Sequence, residues 1–363
     1  SSLMRPRRLS FVLFKLEPNR CGVSDYLLNL VNHIGNEIEC SVVVVSKSDE
    51  SSNNSLFAPN VSILSAKNSA DMFIKFYKYL RLFRPDVINF QFPSSGRVFL
   101  IYPFLPIFCR LLRLRCCQTW HEPLGRFKFL PTLLANDFIF VDRSLITELP
   151  LFYRLVLKLK RQDYIPIASS IPVSKINVDQ LKDFRKIYKK NAEFLLVYFG
   201  LLRKDKGLEW LISAIENLKV HLILACRFEE ENVYHQFVRN LISSGLSTNQ
   251  ISITGELSTE DAADVLKIAD VVVLPFVNGV KERNSSYLAA RNQGTFIITT
   301  DSLKRGYFVA ENTFFIENGN YDQFKEGLSV YGGIKDKVRH NEVNSWGKVA
   351  ANYLDVFSKL KVK

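Results

Sequence analysis

Continuous apolar runs alternate repeatedly with helical patterns along this chain. The first runs cover 9–16 and 40–46, and a helical pattern at 24–34 lies between them. These runs are apolar throughout instead of at every second residue, which is typical of parallel strands covered on both faces. The pattern therefore predicts an α/β fold built on parallel sheets.

The alternation runs twice, and a polar stretch separates the two runs. Residues 174–191 are rich in lysine and contain no candidate strand, and a new run begins with the strand 193–200. A chain of 363 residues is also too long for one ordinary core. We therefore predict two Rossmann-like, doubly wound domains facing across a cleft. The predicted boundaries are 1–173 for the N-terminal domain, 174–191 for an interdomain linker, 192–340 for the C-terminal domain, and 341–363 for a final helix, for which packing back toward the first domain is one option.

The composition narrows the classes of partner. Six cysteines show neither C-x-x-C spacing nor a disulfide rhythm, and no signal-peptide pattern opens the chain, so we predict a cytoplasmic protein. The formal net charge of +12 is compatible with nucleic acid, anionic lipid or a polyanionic substrate. Because no nucleic-acid recognition module is recognisable, we expect no nucleic-acid partner.

Two basic apolar segments bear on membrane contact. Residues 98–115 are apolar and aromatic, are interrupted by prolines, and end in Arg110, Arg113 and Arg115. They are too short and too interrupted to span a bilayer, because a span needs about 20 apolar residues. An interfacial anchor beside acidic headgroups and a buried helix of the first domain both remain open. The basic amphipathic segment 151–161 is a second candidate, so a peripheral position at the inner face of the cytoplasmic membrane is one option.

An anion site is predicted within 271–301, which is a strand, a polar loop, a helix and a second strand. Ser285 and Ser286 stand where the loop enters the helix. A helix start offers free N–H groups and the positive end of the helix dipole, both of which suit a phosphate. The serines taken alone are explained more simply as an ordinary N-cap.

A second anion-favouring loop follows the strand 193–200. That strand ends in Gly200, and Arg203 and Lys206 come directly after it. Arginine can grip a diphosphate by bidentate contacts, and lysine binds it as a point charge. Taken alone, this second loop is explained more simply as a solvated basic loop, but two such loops at strand ends of one domain favour a bound nucleoside diphosphate.

The first half has two candidates of its own at strand ends. The predicted strand 116–123 ends in His121 and Glu122, where open α/β sheets bind their ligands. A lone histidine is usually structural, but this position favours a functional role. Gly22 follows the first strand, where a glycine allows a tight turn or close approach to a ligand, although no G-x-G-x-x-G pattern is present.

These motifs and their order resemble the GT-B glycosyltransferases of family 4, retaining enzymes that use nucleotide sugars in bacterial polysaccharide assembly. RCGVSDYLLNL resembles the N-terminal glycine loop of the family, TWHEP its first-domain histidine, and FGLLRKDKGL its basic phosphate turn. GELSTEDAADVLKIADVVVLPF and SSYLAARNQG resemble its donor region. The likeness extends over almost the whole chain.

The resemblance implies a role for each motif. The residues that it assigns to the donor diphosphate are Gly200, Arg203, Lys206, Ser285 and Ser286. His121 would lie near the transferred sugar, the loop at Gly22 would close over the phosphates, and Glu282 would be the remaining catalytic candidate. Family members are usually thought to need neither a protein nucleophile nor a metal, so we expect no cofactor beyond the nucleotide-sugar substrate, with catalysis by positioning and charge stabilisation.

The chain departs from the family at its paired glutamates. Alignment on Gly294 puts Ala289 where the second glutamate usually holds the ribose, and Lys281 at the first, with Glu282 beside it. Leu201 also stands where the family commonly has arginine. The leading prediction is an enzyme that transfers a sugar, with retention, from a nucleotide diphosphate donor to a lipid-linked glycan in surface polysaccharide (O-antigen or capsule-like) synthesis. The alternative is a catalytically degenerate relative that acts as a binding or scaffold subunit of a polysaccharide assembly complex.

Overall fold

The chain folds into two compact units, and the described residues of each form one seven-stranded sheet. Unit 1 comprises Ser1–Ala168 and Asn344–Lys363, and unit 2 comprises Ser169–Val343. The computed structural model describes residues 6–14, 22–35, 38–47, 61–92, 104–122, 137–246, 248–336 and 345–361.

The sheet of unit 1 is parallel throughout and has the strand order β3-β2-β1-β4-β5-β6-β7. Its strands are β1 (Arg8–Phe14), β2 (Glu39–Lys47), β3 (Val61–Ala66), β4 (Val87–Phe92), β5 (Arg115–Trp120), β6 (Asp137–Phe140) and β7 (Gln162–Tyr164). The helices are α1 (Gly22–His33), α2 (Ser69–Phe83), α3 (Leu105–Leu111), α4 (Ser144–Thr147), α5 (Leu151–Lys158) and the C-terminal α12 (Trp346–Lys359).

Helices cover both faces of this sheet. Phe11 and Val12 are consecutive on β1, so they point to opposite faces, and both are fully buried. Strand β1 connects to β2 and β3 connects to β4 in opposite directions across the sheet, which places α1 and α2 on opposite faces because such crossovers are right-handed. Helix α12 packs beside α1, where the Tyr353 and Tyr26 hydroxyls are 2.8 Å apart.

The sheet of unit 2 has the order β10-β9-β8-β11-β12-β14-β13, in which only the β13–β14 pair is antiparallel. Its strands are β8 (Phe194–Phe199), β9 (Val220–Ala225), β10 (Ile251–Ile253), β11 (Val271–Leu274), β12 (Ile297–Thr300), β13 (Gly306–Phe308) and β14 (Thr313–Ile316). The helices are α6 (Val178–Lys189), α7 (Leu208–Ala214), α8 (Val233–Ser244), α9 (Thr259–Ile268), α10 (Ser285–Asn292) and α11 (Tyr321–Tyr331). The predicted α/β class and the doubly wound strand orders are therefore confirmed.

The stretch 174–191, predicted to be a linker, instead contains helix α6, which belongs to unit 2. Phe184 packs against the apolar core of that unit, and Arg185 binds Asp270 at 2.9 Å. None of the residues of α6 is fully buried, and its sequence is mostly polar. The apolar periodicity that would predict this helix is therefore weak. The Asn177–Gln180 capping box at its start is the signal that could have revealed it.

Helix α3 occupies the second half of the segment 98–115, while residues 98–103 lie outside the described part of the chain. Leu105 and Cys109 are fully buried, whereas Leu111 on the same helix is 76% exposed. The helix is therefore part of the core on one side and carries apolar surface on the other. None of the helices in the described ranges combines the length and the apolar character that a membrane span requires.

Candidate functional site

In both sheets, residues of interest lie next to the point where the strand order reverses, between β1 and β4 in unit 1 and between β8 and β11 in unit 2. Open α/β sheets bind ligands outside the carboxyl ends of their strands at this point. Gly200 follows β8, and the loop that leads to Ser285 follows β11. Gly22 lies between β1 and β2, and His121 follows β5, the neighbour of β4.

In unit 2 the two predicted anion loops touch. A Cβ atom placed on Gly200 would stand 2.6 Å from Ser286 Oγ, so a side chain there would require the Ser286 hydroxyl to shift. Gly200 also has a φ of +145°, a conformation that favours glycine. The turn after β8 and the start of α10 therefore form one continuous surface.

The start of α10 is open to an anion. The N-cap residue is Asn284, so neither predicted serine is the cap. The Asn284 side chain does not bond to the first turn of the helix, and its Oδ1 accepts a hydrogen bond from the Lys281 N–H at 2.6 Å. Ser285 is exposed and Ser286 is half-buried. The hydroxyls and the uncapped end of the helix dipole provide the features that stabilise a phosphate.

The turn after β8, residues 200–207, carries the cations of the site, and we call it the basic turn. Arg203 donates from Nε and Nη2 to the two carboxylate oxygens of Asp205, at 2.9 and 2.7 Å. This arginine holds the pKa of Asp205 below its usual value. The Lys206 ammonium lies 4.4 Å from the centre of the Phe276 ring, and burial lowers the pKa of this lysine while Asp205 partly offsets the change. The basic turn therefore presents a pre-oriented guanidinium and a partly desolvated ammonium.

Two side chains outside the predicted set hold the backbone of the basic turn. The Tyr198 hydroxyl donates to the Leu201 carbonyl at 2.6 Å. His235, on α8, donates from Nε2 to the Leu202 carbonyl at 2.9 Å and accepts from the Glu229 N–H at Nδ1, also at 2.9 Å. The two backbone partners place a proton on Nε2, since a carbonyl only accepts, and leave Nδ1 as the acceptor. Neither residue gave a signal in the sequence, since Tyr198 lies inside an apolar run and His235 is a lone histidine on a helix.

The far end of the basic turn is fixed against β11. Gly207 has a φ of +73°, and a Cβ atom there would stand 1.9 Å from the Pro275 carbonyl oxygen. The Val277 N–H donates to the Asp205 carbonyl at 3.0 Å. These contacts hold the basic turn against the beginning of the loop that carries the serines.

The residues aligned with the paired glutamates differ in their surroundings. Glu282 is exposed in the loop between β11 and α10. Ala289 is fully buried in the apolar core of unit 2. Because residue 289 is alanine, this helix position offers no acidic group to a ligand. Its surroundings are apolar packing, in which a carboxylate would have to be accommodated.

In unit 1, His121 is 6% exposed at the end of β5. Its Nε2 lies 2.6 Å from Gln91 Oε1, and the edge of the Tyr26 ring packs on the imidazole with 4.6 Å between centroids. Gly22, one helical turn before Tyr26, begins α1 without a left-handed φ, and no described atom lies within 4 Å of where its Cβ would stand. No protein contact in the described region therefore requires glycine at position 22, and its predicted role toward a ligand stays a prediction.

Metal ligands are not clustered in the described part of the molecule. No group of three or more histidine, cysteine, aspartate or glutamate side chains is placed there to hold a metal ion. At the basic turn, the structure brings Arg203 and Lys206 together with Asp205.

Residues 193–330, which lie within unit 2, match the family model for glycosyl transferases group 1. No curated protein matches the chain by sequence.

Solved structures match nearly the whole chain. Sucrose-phosphate synthase from Thermosynechococcus elongatus has a TM-score of 0.67 at 12% identity, covering 98% of this chain and 95% of that one. Anabaena HepE in complex with UDP has a TM-score of 0.66 at 14% identity, with the same coverage of both chains. The apo lipopolysaccharide outer core galactosyltransferase WaaB has a TM-score of 0.65 at 14% identity and covers 97% of this chain and 100% of its own. The chain therefore has the GT-B glycosyltransferase fold, and its second unit carries the match to the glycosyl transferases group 1 family.

Proposed function

We propose that this protein is a glycosyltransferase that moves a sugar from a nucleotide diphosphate donor to a glycan acceptor with retention of anomeric configuration. The observation that carries the proposal is the contact between Gly200 and Ser286, which joins a cationic turn to an open helix start. The contact lies within the segment that matches the glycosyl transferases group 1 family. The UDP complex of HepE, which has the same fold, supports a nucleotide as the anion.

The proposed roles follow from the charges and contacts in unit 2. Arg203 would bind the diphosphate in competition with Asp205, which its Nε and Nη2 donors contact in the structure, and Lys206 would add a point charge from a partly desolvated position. The first turn of α10 and the Ser286 hydroxyl would meet the same anion. Negative charge grows on the diphosphate as the glycosidic bond breaks, so these groups stabilise the transition state more than the ground state. The proposal includes no metal ion or other cofactor.

Nucleotide binding is the first test. UDP and a panel of nucleotide sugars are titrated by calorimetry into the wild type and into Arg203→Ala. We expect the substitution to weaken binding at least about 10-fold, because a charge-assisted hydrogen bond is worth about 1.5–3 kcal/mol. Arg161→Ala is the matched control, since Arg161 makes a similar pair with Asp163 in unit 1, at 2.9 Å. Equal binding by wild type and Arg203→Ala would refute the assignment of the basic turn.

Turnover is the second test. Hydrolysis or transfer is monitored by measuring the nucleoside diphosphate that is released. The anomeric configuration of the product is determined by proton NMR. A product with the configuration of the donor supports retention, and an inverted product contradicts it. Nucleotide binding without turnover of any donor would instead favour the alternative function.

That alternative is a catalytically degenerate subunit that binds a nucleotide within a polysaccharide assembly complex. The observation that favours it is Ala289, a fully buried alanine at the position where the family pattern has its ribose-binding carboxylate. Under this alternative, variants of the basic turn would lose nucleotide binding and assembly together, while His121→Gln would leave glycan synthesis by the complex intact.

We further propose that unit 1 docks on an anionic membrane surface, where a lipid-linked acceptor would be found. Helix α5 buries Leu157 and leaves Phe152 and Leu155 exposed, at 66% and 51%. Lys158 is exposed on the same helix. An apolar stripe beside lysine complements a bilayer that carries acidic headgroups, and the net charge of +12 adds to the attraction.

Vesicle flotation tests the docking surface. The full chain should float with phosphatidylglycerol vesicles and remain at the bottom with phosphatidylcholine vesicles. Phe152→Ser with Leu155→Ser should abolish flotation, whereas Leu246→Ser, which alters an 83% exposed leucine of unit 2, should not. Replacing Arg110 and Arg113 by glutamine extends the test to α3. Flotation that is unchanged in every variant would rule out both helices as the docking surface.

A further inference from the structure

The chain passes between the two units twice, and both passages lead to the end of one helix of unit 2. The chain enters unit 2 at Ser169 and leaves it after Val343. We call residues 171–174 the entry segment and residues 334–336 the exit segment. Both segments bind residues 292–295, at the end of α10 and directly after it.

The entry segment is held by two side chains at the end of α10. Gln293 accepts the Ser174 N–H at Oε1, at 2.8 Å, and donates from Nε2 to the Pro172 carbonyl at 2.7 Å. Asn292 donates from Nδ2 to the Ile171 carbonyl at 2.9 Å. A backbone N–H only donates and a carbonyl only accepts, so these partners fix the orientation of the Gln293 amide. Gln293 is fully buried, and both ends of its amide are committed to the entry segment.

The exit segment is held by the residues that follow α10. The Asp336 N–H donates to the Gly294 carbonyl at 2.8 Å, and Lys335 forms an antiparallel bridge with Thr295. The Lys335 ammonium donates to Thr295 Oγ1 at 3.1 Å and to the Lys267 carbonyl at 2.9 Å. The exit segment is thereby fixed to the turn that ends α10.

Apolar burial contributes little to the hold on either segment. In the entry segment Ile171 is buried, but Val173 is 40% exposed. In the exit segment Ile334 is also 40% exposed. Segments that are held mainly by polar contacts open at a low cost in free energy, and such local openings couple the parts of a protein that share contacts. The order of both segments therefore depends on the end of α10.

Helix α10 is short, and its start is not capped. It has eight residues and a length of about 12 Å, and the Asn284 side chain makes no bond to its first turn. Its buried residues are 287–290, so its start and its end both depend on polar partners. An anion at the start accepts hydrogen bonds from the free N–H groups and offsets the positive end of the dipole. Because helix formation is cooperative, this stabilises both turns of the helix.

We propose that α10 couples nucleotide binding at its start to the hold on the entry and exit segments at its end, with Gln293 as the positioning residue of this coupling. The nucleotide as the anion rests on the proposed function, whereas the contacts at the end of the helix do not. Coupling between two sites is reciprocal, so a nucleotide that tightens the hold on the segments is itself bound more tightly when that hold is intact. The donor site thereby regulates the order of both connections of the chain between the units.

Amide hydrogen exchange of the full chain, measured by NMR with and without saturating UDP, tests the coupling. The Ser174 and Asp336 N–H groups report on the entry and the exit segment, because each donates to the end of α10. UDP should slow the exchange of both at least about fivefold, the lower end of typical coupling between sites. The Glu193 N–H, which donates to the Lys219 carbonyl at 2.7 Å, is the control for general stabilisation of unit 2. Equal protection of all three amides, or protection of none, would overturn the proposal.

Gln293→Ala tests the coupling in the reverse direction. It removes both hydrogen bonds to the entry segment and should weaken UDP binding at least about fivefold in calorimetry. Gln250→Ala is the matched control, because Gln250 also donates to backbone carbonyls of unit 2, those of Leu218 and Val220. Gln250 directly precedes β10, the edge strand that lies three strands from β11, so this variant should bind UDP as the wild type does. Equal UDP affinities of Gln293→Ala and the wild type would overturn the proposal.

The amide of Leu288 reports on α10 without any nucleotide. Its N–H donates to the Asn284 carbonyl at 3.0 Å within the helix. Gln293→Ala should speed the exchange of this amide, whereas Gln250→Ala should leave it unchanged. An unchanged exchange rate in Gln293→Ala would show that the end of the helix does not influence its start, and the coupling would be refuted.

Asn292→Ala keeps the test decisive if Gln293→Ala does not fold, because it removes one hydrogen bond, to the Ile171 carbonyl. It should also weaken UDP binding, and an unchanged affinity would overturn the proposal. If the wild type binds neither UDP nor any nucleotide sugar, the donor site of the proposed function fails, and the coupling fails with it. If UDP binds and the amides of Ser174 and Asp336 are not protected, only the coupling fails.

Discussion

The close approach of Gly207 to β11 yields a prediction that can be worked out in detail. Gly207 and Gly255 both lie in unit 2 with left-handed φ values of +73° and +76°. A Cβ atom at Gly207 would stand 1.9 Å from the Pro275 carbonyl oxygen, whereas none of the described atoms lies within 4 Å of a Cβ atom at Gly255. Alanine at the two positions therefore shares the backbone strain and differs in the clash.

The magnitudes follow from these two contributions. A left-handed conformation costs an L-residue about 1–2 kcal/mol, which is the full expected loss of stability for Gly255→Ala. Gly207→Ala adds the displacement of a backbone carbonyl, for which overpacking studies indicate about 1–3 kcal/mol more. A unit of this size loses about 2–4 °C in its melting temperature per kcal/mol, so Gly207→Ala should melt about 2–12 °C below Gly255→Ala.

The assay must report on unit 2 alone, because two units need not unfold together. The chain has three tryptophans, and only Trp210, on α7 directly after the basic turn, belongs to unit 2. Fluorine NMR of the protein labelled with 5-fluorotryptophan therefore follows each unit during heating. Trp120 and Trp346 serve as internal controls, and their transitions should be the same in both variants as in the wild type if the units unfold independently.

Equal melting temperatures of Trp210 in Gly207→Ala and Gly255→Ala would refute the close contact with Pro275. UDP affinity provides the second readout. Gly207→Ala should weaken binding, because the displaced backbone adjoins Lys206, and Gly255→Ala should leave binding unchanged.

Three further predictions concern the same unit. Burial lowers the pKa of Lys335 from its usual 10.5 to about 7. Between about pH 7 and pH 10.5 the unfolded chain therefore binds more protons than the folded chain, and the free energy of unfolding should increase as pH rises. Lys335→Met should flatten the dependence of the Trp210 melting temperature on pH, and an unchanged slope would contradict the prediction. Asp205→Asn removes the negative charge that pairs with Arg203 and should tighten UDP binding about 3–10-fold at low salt. The gain in affinity should decrease at high salt. Weaker binding by the variant would contradict the prediction and show that Asp205 acts mainly by orienting the arginine. Tyr198→Phe removes the hydrogen bond to Leu201 and should weaken UDP binding by about 1 kcal/mol. Equal UDP affinities of the wild type and Tyr198→Phe in calorimetry would contradict this prediction.

At the site in unit 2, some residues could be predicted from the sequence and others could not. The position of Gly200 at the end of an apolar run was sufficient to choose it, because a turn after a parallel strand lies at the ligand-binding edge of a sheet. The roles of Tyr198 and His235 could not be predicted, because a buried tyrosine and a lone helical histidine are common in cores. Their importance depends on the backbone carbonyls that they contact, and those contacts are products of packing.

Sequence patterning alone predicted the α/β class, the two successive sheets, the strand ends that carry Gly200 and His121, and the helix start that carries Ser286, because apolar periodicity is a local property of the chain. The prediction of a linker at 174–191 was wrong, because the apolar face of helix α6 is only half-buried and its periodicity is correspondingly weak. The contact of Gly200 with Ser286 and the approach of the Tyr353 hydroxyl to Thr119 follow only from the three-dimensional fold. Such contacts join residues far apart in the chain, and their geometry follows from strand order and side-chain packing, which no local pattern encodes.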